Sequence, residues 1–139
     1  MREEKEYLMD TCILSQLISP GERQDKISDW ILNHPGKIST SVIVGYEIRS
    51  GLLAKNFLKR LNIFENMLLD FDIAIYPVDE EIAQKAANLR AKFMKSGLSY
   101  SLSDLLIGST VLIKDAILLT DNEKDFRMWI PNMINPLFK

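Results

Sequence analysis

Ser99-Tyr-Ser-Leu-Ser-Asp-Leu-Leu-Ile-Gly-Ser-Thr-Val-Leu-Ile-Lys114 is the stretch on which the reading of this chain turns. Leu102, Leu105, Leu106, Ser109, Leu112 and Ile113 recur at helical spacing, which predicts a largely buried helix. Asp104 sits at its start, and the apolar run Ala116-Ile-Leu-Leu-Thr120 follows as a core strand. A carboxylate at the start of a buried helix, beside the end of such a strand, is either a cap or part of a site. Which it is depends on whether acids distant in sequence converge on it.

The 139 residues, 47% of them hydrophobic, suffice for one ordinary globular domain over residues 1–139 with a real core. A net charge of -2 argues against a general nucleic-acid binder, although it leaves room for a local basic rim around an acidic pocket. Cys12 is the only cysteine, which excludes an intramolecular disulfide and favours a cytoplasmic setting. No signal-peptide core or membrane-length apolar run is visible, and no repeat or low-complexity tract.

Outward from the central helix, the pattern alternates. Tyr7-Leu-Met9 predicts a short buried strand ending in Asp10, and Thr11–Ile18 a helix stopped by Pro20-Gly21. Ile27, Trp30 and Ile31 mark a second helix that ends before Pro35-Gly36. Lys37-Ile-Ser39 predicts a brief strand. The Ser39-Thr-Ser41 hydroxyls can cap a helix through Val42, Tyr46, Glu47 and Leu53, whose β-branched residues require packing behind them. Phe57, Leu61, Phe64 and Leu68 continue at helical spacing, with Gly51 either separating two helices or lying within one. Phe71–Tyr76 has strand composition. Asp79 can cap a helix through Ile82, Ala86, Leu89, Phe93 and Met94, ended by Gly97. Beyond the polar turn Asp121–Asp125, an edge strand is predicted around Asn132–Ile134.

Short strands alternating with long helices predict an α/β fold, with a mostly parallel sheet covered on both faces. Ligands in such sheets sit beyond the carboxyl ends of the strands. Asp10 lies at one such end and Asp121/Asn122 at another, while Glu47 and Asp104 lie on helices able to approach that edge. Ionised carboxylates crowded together repel, and a divalent cation removes the difficulty. Mg²⁺ prefers oxygen ligands, keeps several waters and can bind through a few carboxylates plus a substrate phosphate. His34 and Cys12 stand alone in their types, which does not suggest zinc.

Each acid also has a plainer explanation. Asp10 can cap the helix starting at Thr11. Ser101-Leu-Ser-Asp104 fits the capping-box pattern. Glu47 can be a solvent-facing helix residue, and Asp121 and Asp125 ordinary turn residues. Arg49, Lys55, Lys59 and Arg60 form one basic cluster, and Arg90, Lys92 and Lys95 another. Either can track phosphates or simply be a solvated helix face. Trp30 and Trp129 suit packing better than base stacking, and His34 suits a turn better than general-base catalysis.

Four stretches taken together resemble a PIN-domain ribonuclease of the VapC-like toxin type. They are Tyr7-Leu-Met-Asp-Thr11, Ile38-Ser-Thr-Ser-Val-Ile-Val-Gly-Tyr-Glu-Ile-Arg-Ser-Gly51, Leu102-Ser-Asp-Leu-Leu-Ile-Gly108 and Leu118-Leu-Thr-Asp-Asn-Glu-Lys-Asp-Phe126. By this resemblance Asp10, Glu47 and Asp104 match the family's metal-binding acids. Asn122 matches an Asn-or-Asp position two residues after the threonine, Asp125 the acid before the phenylalanine, and Asp121 a variable position. The fourth acidic role is thus divided among Asp121, Asn122 and Asp125, and Thr120 is an expected polar contact to the cluster or a phosphate.

The resemblance implies a three-layer α/β/α sandwich and Mg²⁺- or Mn²⁺-dependent RNA hydrolysis. Water would attack phosphorus in line, leaving 5′-phosphate and 3′-hydroxyl ends. It further implies a homodimer, a cognate antitoxin protein and a structured RNA substrate, with transfer RNA as one option. Two other readings stand beside it. One is a catalytically reduced domain that binds RNA or protein. The other is a nuclease aimed at DNA flaps or ribosomal RNA precursors.

Overall fold

The computed structural model describes residues 4–138; residues 1–3 and 139, included in the expected single domain, lie outside the described residues. Its elements are β1 (Glu6–Met9), α1 (Thr11–Leu17), α2 (Glu22–Asn33), β2 (Lys37–Ser41), α3 (Val42–Ala54) and α4 (Leu58–Asp70). They continue with β3 (Ala74–Tyr76), α5 (Glu80–Lys95), α6 (Leu102–Lys114), β4 (Ile117–Leu119), a 3₁₀ turn (Glu123–Asp125) and β5 (Met133–Ile134). The sheet order is β3-β2-β1-β4-β5, and every strand pair is parallel. This is the α/β sandwich that the alternation predicts.

From β1 the chain steps outward to β2 and β3, then crosses back to β4 on the other side of β1. Right-handed crossovers place α1–α4 on one face and α5–α6 on the other. The β1/β4 boundary is therefore the topological switch point, where the strand ends leave a crevice. The main core lies against β1 and β4, with Leu8, Ile13, Leu14, Ile27, Phe64, Leu118 and Leu119 fully buried. A second cluster joins Ala86 and Phe93 of α5 to Leu105 of α6.

One boundary left open by the sequence and one that differs from it have the same physical reason. Gly51 lies within α3; the break between α3 and α4 falls instead at Asn56, in the left-handed region at φ 57°. Phe71 ends α4 rather than opening a strand, and Asp72 takes φ 50°. After each, a backbone N–H reaches back to close the helix: Phe57 to Leu52 O at 2.9 Å and Ile73 to Leu68 O at 3.1 Å. Asn and Asp tolerate this conformation, so they end helices without a glycine. β3 consequently starts only at Ala74.

Trp30 and Trp129 both pack. Trp30 meets Tyr7 edge-on and stacks on His34 at 4.0 Å, and the His34 Nδ1 lies 2.7 Å from Trp30 O. Trp129 lies against Phe93, Tyr100 and Phe126 and covers Gly108 of α6. A Cβ on Gly108 would overlap the six-membered ring of Trp129, whereas one on Gly51 meets nothing within 4 Å. Gly108→Ala is expected to cost about 1–3 kcal/mol through overpacking, and Gly51→Ala to gain roughly 0.5–1 kcal/mol in helix propensity. Urea unfolding of the two variants measures both signs.

Candidate active site

The carboxyl edge of the sheet collects side chains from five segments. Asp10 follows β1 directly, and its N–H donates to Leu119 O at 3.2 Å, so the ends of β1 and β4 are stitched together. Its side chain caps α1 by accepting Ile13 N–H at 3.2 Å. The plain capping reading is therefore correct for Asp10, yet it leaves most of the carboxylate unexplained. Asp10 Oδ1 also accepts the Cys12 thiol at 2.7 Å, and Oδ2 accepts the Thr120 hydroxyl.

From Asp10 a chain of contacts runs round the edge and returns. Thr11 Oγ1, one residue on, donates to Glu47 Oε1 on α3. Glu47 Oε2 accepts Ser103 Oγ from the first turn of α6 at 3.0 Å. Asp104 follows Ser103 and lies in the fields of both Asp125 and Glu47. Asn122 Nδ2 donates to Asp125 Oδ2, and Asn122 N–H donates to Thr120 Oγ1 at 2.9 Å, which leads back to Asp10. Residues up to 115 positions apart thus share one end of the molecule.

Asp104 shows the N-cap half of the capping box: Ser101 Oγ accepts its N–H at 3.1 Å. Its carboxyl is half-buried. Burial pushes its pKa up, the Ser101 hydrogen bond opposes this, and the charges of Asp125 and Glu47 raise it further. Asp121 is placed differently. Its Oδ2 accepts Gln16 Nε2 at 2.9 Å and faces the Arg23 guanidinium at 3.4 Å. Arg23 also donates to Gln16 Oε1 at 2.9 Å, so Asp121 belongs to a small network on the α1–α2 side.

Charge compensation sharpens the contrast. Among the described residues, Asp121 has an ion-pair partner, whereas Asp10, Glu47, Asp104 and Asp125 have none. Their partners are hydroxyls, a thiol and amides. Also among the described residues, no three acidic, histidine or cysteine side chains lie close enough together to hold a metal ion between them. His34 caps α2 just before β2 begins, at the opposite end of the strands, and takes no part.

Thr11, Ser103, Cys12, Gln16 and Arg23 escaped the sequence reading as site residues. Thr11 and Ser103 carried a usable signal, since each is a hydroxyl immediately beside a candidate acid. The Gln16–Arg23–Asp121 network carried none, because its members only meet through the sheet. Cys12 is pushed up in pKa by burial first and then by the Asp10 charge, so it remains a protonated donor to Asp10.

Residues 7–128 match the PIN domain family, and the chain belongs to that family. It is 29% identical over 94 residues to a VapC ribonuclease of Pyrococcus furiosus, a match covering 64% of this chain and 58% of that protein. It thus spans less than two thirds of that relative's length. Among solved structures it is similar to a toxin–antitoxin complex from Klebsiella pneumoniae, at 27% identity and a TM-score of 0.72, covering 94% of this chain and 97% of that one. VapBC-1 from nontypeable Haemophilus influenzae shares the fold at 20% identity and a TM-score of 0.80, covering 96% and 99%. No helix among the described residues is long and apolar enough to cross a membrane.

Burial, partly offset by hydrogen bonds from Cys12, Thr120 and Ile13, raises the Asp10 carboxyl from 3.8 to about 6. A carboxyl raised on folding holds its proton more tightly in the folded state. Its stabilising contribution is therefore complete below pH 3.8 and is lost as pH rises through about 6. In metal-free buffer Asp10→Asn is expected to be more stable than the parent above pH 6, by about 2–3 kcal/mol at most. The difference should vanish near pH 4, as read from urea midpoints across that range.

Proposed function

We propose that the chain is a divalent-metal-dependent endoribonuclease and the toxin member of a toxin–antitoxin pair. The observation that carries this is the set of uncompensated acids: Asp10, Glu47, Asp104 and Asp125 lie at one end of the sheet, linked through Thr11, Ser103, Thr120 and Asn122, with no cationic side chain paired to any of them. Such an arrangement is costly unless something positive joins it. The donors are oxygens, which suits Mg²⁺ or Mn²⁺ rather than zinc. Family membership and the named VapC relative point the same way.

In this reading Asp10, Glu47 and Asp104 would hold the ion once drawn closer together than they stand here, and Asn122 and Asp125 would add further oxygens. Asp121, held by Arg23 and Gln16, shapes the rim and adds to the negative potential at Asp10. The bound ion supplies an activated water and neutralises charge on the phosphate being cleaved. The protein's own work is orientation. Thr11 and Ser103 each fix one oxygen of Glu47. Thr120 and Cys12 hold Asp10 from opposite oxygens, and Asn122 holds Asp125. Fixed ligands pay their ordering cost during folding instead of at each turnover.

A structured RNA such as transfer RNA is the proposed substrate, with cytoplasmic action, a homodimer and a cognate antitoxin as the proposed context. The purified chain should cleave RNA only with Mg²⁺ or Mn²⁺ present. Asp10→Asn and Asp104→Asn should each lower the rate about a hundredfold or more, the scale on which losing one charge-stabilising group is felt. Wild-type rates in both folded variants would end the proposal. A folded chain that binds no divalent ion at millimolar concentration would favour the catalytically reduced reading.

A further inference from the structure

A groove of about 190 Å³ between α1 and α3 is lined by Glu47 of the acidic set, by Ser15 and Ser19, and by Lys55, Phe57 and Arg60. An adjoining hollow shares Phe57 and Arg60 and extends this end toward Lys59. Phe57, the residue before α4, is 46% exposed. Two cations lie over the ring, Lys55 Nζ 5.9 Å and Arg60 Cζ 5.6 Å from its centroid, so a base stacking there would displace one of them toward its own phosphate. Neither has an ion-pair partner among the described residues. Arg49, which the sequence places in the same basic cluster, is instead bonded to Glu65 at 2.8 Å and faces the buried Phe64.

We propose that this groove carries the single-stranded flank of an RNA substrate, with phosphates on Lys55 and Arg60 and a base stacked on Phe57. The assignment rests on the nuclease reading for the direction in which the strand reaches the acids. Unpaired cations around an exposed ring are the pairing that single strands use, since phosphates need charge and every base offers a stacking face. An acidic peptide would satisfy the cations and leave the ring unused. A chain of net charge -2 also gives a polyanion few places to settle, and this groove places one of them beside the acids. Glu47 and Lys55 are eight residues apart on α3, about 12 Å along its axis. That span holds about three or four stacked nucleotides, so the contact would select for single-stranded sequence close to the cut.

The test uses a fluorescein-labelled single-stranded oligoribonucleotide, bound in EDTA to separate affinity from cleavage, followed by steady-state cleavage of the same strand in Mn²⁺. Lys55→Glu/Arg60→Glu should weaken binding about tenfold or more and lower the slope of log K against log salt by about 1.4, two contacts at about 0.7 each. Phe57→Ala should weaken it about fivefold or more while Phe57→Tyr keeps affinity. In Mn²⁺ the same changes should raise KM and leave kcat within about twofold. Unchanged Kd and KM in the folded double variant, with cleavage intact, would overturn the groove assignment and leave the nuclease standing. Binding in EDTA that depends on Lys55, Arg60 and Phe57, without cleavage by the parent, would uphold the groove and remove the nuclease. Absence of RNA binding by the parent would overturn the assignment, as would a polyglutamate peptide losing affinity in the double variant while RNA does not.

Discussion

The structure depends on one buried carboxylate. Asp10 sits where the order of the sheet reverses, 4% exposed, with its N–H bound to the end of β4 and its side chain bound to α1, Cys12 and Thr120. A carboxylate with so little access to water must draw most of its donors from the protein. The donors it draws belong to both neighbouring strand ends and to the first helix. The need to satisfy one charged group therefore sets how β1, β4 and α1 meet, and the other acids are arranged around that meeting point.

The hydroxyls distribute this constraint. Glu47 sits on α3 and Asp104 on α6, on opposite faces of the sheet, and Ser103 bridges from one to the other. Thr11 carries the link onward to the residue beside Asp10. Neutral donors are the economical choice here: they fix carboxylate geometry without cancelling the charge that a cation would use. Only Asp121 is given an arginine, and it is the acid whose side chain is held on the α1–α2 side.

Much of this was legible beforehand, for a definite reason. Helical spacing in α6, strand composition in β1 and β4, and the carboxyl-edge rule together put Asp10 at a strand end and Glu47 and Asp104 on helices able to approach it. What sequence could not supply was partner choice. Asn56 and Asp72 ending helices in the left-handed region hid two boundaries, because tolerance of positive φ by Asn and Asp leaves no glycine to read. Sequence divides the fourth acidic role among Asp121, Asn122 and Asp125; the Arg23 guanidinium, brought in from α2, sets Asp121 apart. Arg49 looked equivalent to Lys55 until Glu65 was found to hold it. The capping and site readings of Asp10 were posed as rivals, but one side chain has oxygens enough to cap a helix and still face the crevice.

The packing of Trp129 gives the molecule a built-in optical reporter. Its ring rests on Gly108 of the helix that carries Asp104, and its Nε1 donates to Asp125 O at 3.0 Å. One chromophore therefore touches two of the segments that supply acids, while Trp30 lies against Tyr7 on the other side of the sheet. With Trp30 replaced by phenylalanine, Trp129 would be the one indole left in the chain, and its emission would follow the segments that carry Asp104 and Asp125 without a label being attached.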